Sequence, residues 1–106
     1  MAPIDIATPD DRKNLISQSF MHDLQKYKRE LITLARHVHA AAQSLMGGSL
    51  SASDILDAVV TAMFRDGIFA TIVHGKPHMN TGLTQGYAEA LARVLLNDYW
   101  TEISRP

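Results

Sequence analysis

The residues of this chain best equipped for chemistry are its five histidines, because it contains no cysteine. Without thiols there are no disulfides, no thiolate nucleophiles and no cysteine-ligated zinc or iron–sulfur sites. His37 and His39 stand two residues apart. On a helix that spacing turns their side chains about 200° from each other, so they cannot share a metal. His74 and His78 have the i,i+4 spacing of helical metal ligands, but Gly75 and Pro77 lie between them and break the helical geometry. Zinc takes three or four protein ligands, and no third is indicated near this pair. Neither a metal nor a cofactor is expected.

Nucleophilic and acid–base catalysis find no better support. The chain has no nucleophile elbow, no His-Glu-x-x-His and no organised pair of carboxylates. Asp10-Asp11, and Asp54 with Asp57, read as acids at helix starts, where the macrodipole favours negative charge. No enzyme is expected on these grounds. The loop Gly75-Lys76-Pro77-His78-Met79-Asn80 is polar, short and held between apolar segments, a setting in which loops carry function. It lacks the glycine pattern and the Walker form of a phosphate cradle, and a plain connector accounts for it. The alternatives are a contact through Lys76, His78 and Asn80, or a metal- or ligand-dependent enzyme built on this loop.

A basic row offers the clearest contact surface. His22, Lys26, Arg29 and Arg36 fall on one side of a helix, with Lys28 beside them, a pattern able to meet phosphates or an acidic protein surface. Asp23 and Glu30 flank the row, and no interleaved aromatics form a platform for bases. A solvated helix face is the plainer account. A helix-turn-helix would have to turn at Gly47–Ser51. Its second helix would then lead with Asp54 and Asp57, which repel DNA phosphate.

These residues need elements to hold them. Thr8-Pro9-Asp10-Asp11 is a helix start, with Thr8 as cap and Pro9 at the first helical position, after an extended segment over 1–8. From Asp10 to Met46 neither glycine nor proline occurs. Leu24, Tyr27, Leu31, Leu34, Val38, Ala41 and Leu45 recur at alternating steps of three and four, a heptad seam sustained for three repeats. One continuous helix would be about 55 Å long, far beyond the ~13 Å radius of gyration of a compact 100-residue domain. It must project, pair with another chain or break. The expected break is near Ser17-Gln18-Ser19, where Leu15 and Ile16 fall out of register with the later seam and the serines have weaker helix propensity. Homo-oligomerisation through the seam Leu24, Tyr27, Leu31, Leu34 and Val38 is expected, through the last helix, or through both.

After Gly47-Gly48, Ser51-Ala52-Ser53-Asp54 has capping-box form. Ile55, Leu56, Val59, Val60, Met63 and Phe64 make the apolar stripe of an amphipathic helix. Ile68–Val73 reads as a short fourth helix; the alternative is a strand paired with Ile4-Asp5-Ile6. His74-Gly75-Lys76-Pro77 stops it. A last helix begins between Thr81 and Thr84 and runs to about Ile103, with Glu89 and Arg93 ordered for an i,i+4 pair. Its apolar residues, including Tyr99 and Trp100, wrap more than one face. Such a helix is either central to its own bundle or half of an interface.

Taken together, the reading is a single all-α domain over residues 1–106, a small bundle of three main helices with room for a fourth short one. Hydrophobic residues make up 46% and charged residues 20%, too apolar for intrinsic disorder. A net charge of −1 gives no global attraction to nucleic acid or acidic membranes. No apolar run approaches the roughly 20 residues that span a bilayer, and Met1–Ile6 lacks the basic start and apolar run of a signal peptide. A soluble, cytoplasmic, non-enzymatic binding protein follows as the expectation: an adaptor, assembly factor, regulator or inhibitor working through protein–protein contacts. The alternative is a small nucleic-acid-binding regulator using the basic row.

Overall fold

The computed structural model describes the backbone of residues 9–74 and 81–105, and the side chains of 18–74 and 84–105. Its elements are α1 (Pro9–Met46), α2 (Ala52–Arg65), α3 (Ile68–Val73) and α4 (Thr81–Ile103), with no strand among the described residues. The all-α bundle expected from the sequence is the fold. The choice at Ile68–Val73 falls to helix: Gly67 takes a left-handed φ of +76°, which reverses the chain after α2, and Phe69 and Ile72 then bury one helical face. The extended segment over 1–8, its Ile4-Asp5-Ile6 and the Thr8 cap lie outside the described residues.

No break occurs near Ser17–Ser19; α1 is continuous over 38 residues. Serine costs less than about 0.7 kcal/mol against alanine in a helix, too little to break one that holds neither glycine nor proline. At 1.5 Å per residue α1 spans about 57 Å, and it sets the long axis of a molecule measuring 59 × 23 × 20 Å. The helix escapes the limit of a compact bundle by projecting. Past Ala42 its residues are exposed, Leu45 at 87% and Met46 at 72%. Gly47, in the left-handed region at φ +63°, ends it with its N–H on the Gln43 carbonyl at 2.8 Å.

The core forms where three helices meet. Leu24, Tyr27, Leu31 and Leu34 of α1 pack with Ile55, Val59 and Met63 of α2, Phe69 and Ile72 of α3, and Tyr87, Leu91, Leu95 and Ile103 of α4. Phe20 meets Tyr87 edge-on at 5.8 Å, and His39 meets Trp100 at 5.3 Å, so α4 runs alongside α1 in the same direction. Phe64 at the end of α2 stacks on Phe69, which reaches Tyr87, so α2 runs back between them. The capping box is made as expected: Ser51 N–H donates to Asp54 at 3.0 Å and Asp54 N–H to the Ser51 hydroxyl at 3.2 Å. Hydrogen bonding to the carboxylate by the Ser51 backbone N–H, and second by the Ser51 side chain, holds the Asp54 carboxyl below its ordinary pKa. On the solvated side of α4, Arg93 pairs with Glu89 at 2.6 Å. The two-sided apolar character of α4 has the first of its two explanations, since the helix packs against both α1 and α2.

Candidate functional site

His22, Lys26, Arg29 and Arg36 are all exposed on the face of α1 turned away from the core. Thr33, between the two arginines, turns its hydroxyl inward to the Arg29 carbonyl at 3.0 Å. Asp23 does not flank this row at the surface. It is 2% exposed and accepts the hydrogen bond of the Tyr87 phenol. One of the two acids beside the row is thus withdrawn, and Glu30 remains exposed. Lys28 leaves the row for the Tyr99 ring, with its ammonium 5.1 Å from the centroid, while Lys26 stands 5.4 Å from that of Tyr27. Lys26, Arg29 and Arg36 make no ion pair with another described residue.

The Asp23–Tyr87 pair joins the first and last helices in the interior. Burial pushes the Tyr87 phenol well above the ordinary tyrosine pKa, because its charged form would be desolvated. The bond to Asp23 raises it further, and a hydrogen bond with Ser19 works in the opposite direction. The phenol is therefore a fixed donor at every physiological pH.

A cleft opens at the other end of the α1–α4 contact. Tyr99 departs from helical geometry, with φ −122° and ψ 22°, and bends the last turn of α4. Past the bend Trp100 packs on His39, Ile103 is buried, and Arg105 follows beside α1. Arg36, His37, His39 and Gln43 of α1 line a space of about 480 Å³ together with Arg105. A shallower groove of about 290 Å³ lies between α2 and α4, around Leu56, Arg93 and Asn97.

The other residues singled out in the sequence fall elsewhere. Lys76, His78 and Asn80 lie outside the described residues, and His74 is an exposed residue at the end of α3. The seam residues Leu24, Tyr27, Leu31 and Leu34 are buried in the chain's own core, with Val38 partly buried beside them. Tyr99 and Trp100 are half-buried, engaged by Lys28 and His39. Among the described residues no group of three or more histidines and acids could hold a metal, and no helix is long and apolar enough to cross a membrane.

Of the cleft's side chains, Arg105 escaped the sequence reading, and His39 was weighed there only as a metal ligand with His37. His39 occupies an apolar column of α1, after Ile32 and Ala35 and before Ala42, and that break in the column is the signal that could have found it. Arg105 follows the end of α4, where no periodicity can place it. No family model, curated protein or solved structure matches this chain, so the geometry alone carries its functional reading.

Proposed function

We propose that this chain is a non-enzymatic helical binding protein of the cytoplasm, which acts through protein–protein contacts as an adaptor, assembly factor, regulator or inhibitor. The observation that carries this is the cationic face of α1, where Lys26, Arg29 and Arg36 are exposed with no ion pair to another described residue, and Asp23 is turned inward. A convex face bearing guanidinium and ammonium groups over about three turns is complementary to an acidic protein segment. It is short for a duplex, and no stacking aromatics lie between its cations, so nucleic acid is the second choice.

Affinity capture from the native cell, with nuclease-treated lysate, tests the reading. The wild-type chain should retain a protein partner, and Lys26→Glu with Arg29→Glu should release it while leaving helicity intact. Retention only of nucleic acid, falling steeply as salt rises, would replace this reading with the second one. Self-association belongs to the same proposal. Its support is the projecting end of α1, whose Leu45 and Met46 no described part of the chain covers.

A further inference from the structure

Among the described residues that line the cleft beside the C-terminal half of α1, all but Ala40 carry a side-chain donor or cation, and none is an acid. Arg36 of α1 and Arg105 of the segment after α4 both line it, and Gln43 adds an amide. Its space of about 480 Å³ lies within the range of roughly 300–1,000 Å³ found for small-ligand sites. His39 is the telling member. It is 7% exposed, yet its imidazole makes no hydrogen bond with another described residue, and its ring contact is the edge-on packing with Trp100. None of its nitrogens is sealed from solvent without a partner, so its polar edge opens on the cleft. Its ring nitrogens therefore meet solvent in the cleft and are available to a ligand there. Arg36 and Arg105 make no ion pair with another described residue.

We propose that this cleft binds a phosphate monoester. Arginine forks match its oxygens in paired hydrogen bonds, and two of them balance a dianion. A neutral imidazole keeps one ring N–H donor in either tautomer, so His39 supplies a third approach. Donors converging from α1 and from the Arg105 segment suit a tetrahedral group with three terminal oxygens better than a planar carboxylate, which a single fork satisfies. Arg36 belongs to both surfaces, whereas Lys26 and Arg29 belong to the acidic-segment face alone and His39 and Arg105 to the cleft alone.

Trp100, the one tryptophan of the chain, packs on His39 and reports on the site. The full chain is titrated with inorganic phosphate and with a short phosphoserine peptide, against sodium chloride at matched ionic strength. The expected result is a saturable change in Trp100 fluorescence. Arg36→Gln and Arg105→Gln should each weaken it roughly tenfold, the effect of losing one charge-assisted hydrogen bond, with unchanged melting because both side chains are exposed. Equal affinity for both probes identifies a small phosphorylated molecule as the source. A phosphopeptide at least about tenfold tighter identifies a modified protein chain. No saturation beyond the chloride response, indifference to both arginine variants, or equally tight binding of the glutamate version of the peptide would each overturn the proposal.

Discussion

At the scale of single residues, the Tyr87–Asp23 hydrogen bond ties together positions 64 apart in the chain, inside the protein and away from either proposed surface. A buried hydrogen bond to an acid is expensive to remove, because the partner stays desolvated. Tyr87→Phe should therefore cost about 1–3 kcal/mol in denaturant unfolding. Asp23→Asn with Tyr87→Phe should cost less than the two single changes added together, as contacting residues do. The pair also sets a pH dependence. The folded chain holds the phenolic proton more tightly than the unfolded chain, so the stability it contributes is complete below about pH 10 and is lost as pH rises above that value. Unfolding measured from pH 8 to 11 should show this loss in the wild type and not in Tyr87→Phe. An identical slope in both would mean that Tyr87 is not the group responsible.

At the scale of elements, local chemistry is enough to place the joints. Gly67 adopts φ +76° between α2 and α3, and a Cβ built there meets nothing within 4 Å. Any penalty for a side chain is thus backbone strain alone. Gly67→Ala should destabilise by roughly 1–2 kcal/mol, and Gly67→Asn by less, because asparagine tolerates the left-handed region. Equal losses would point to a steric clash instead. The Ser51–Asp54 cap, the Glu89–Arg93 pair and the stop of α1 at Gly47 were legible in the sequence for the same reason: each depends on residues within four positions. The site was less legible. Lys26, Arg29 and Arg36 could be read from helical period, but the withdrawal of Asp23 depends on Tyr87, and the placing of His39 depends on Trp100. Those partners lie on α4, and only the packing of α4 along α1 brings them near. The expected break in α1 failed through weighing a modest serine propensity as though it were a glycine or proline.

At the scale of the whole molecule, the bundle buries the seam from Leu24 to Leu34 in its own core and leaves its far end, Ala41 and Leu45, projecting. Self-association is proposed through that end, where Leu45 continues the seam past the part buried in the core. Light scattering at micromolar concentration should give a dimer or larger mass, and Leu45→Glu should return it to a monomer without changing the melting curve, since Leu45 is 87% exposed. A monomeric wild type would remove self-association from the account. The central claim concerns the opposite side of the same helix, and the most direct measurement is site-specific photocrosslinking in the native cell. A photoreactive side chain placed at Arg29, on the cationic face, is compared with one at Asn97, exposed on α4. The account predicts a discrete protein adduct from position 29 and none from position 97. Adducts only to nucleic acid, or equal protein adducts from both positions, would contradict it.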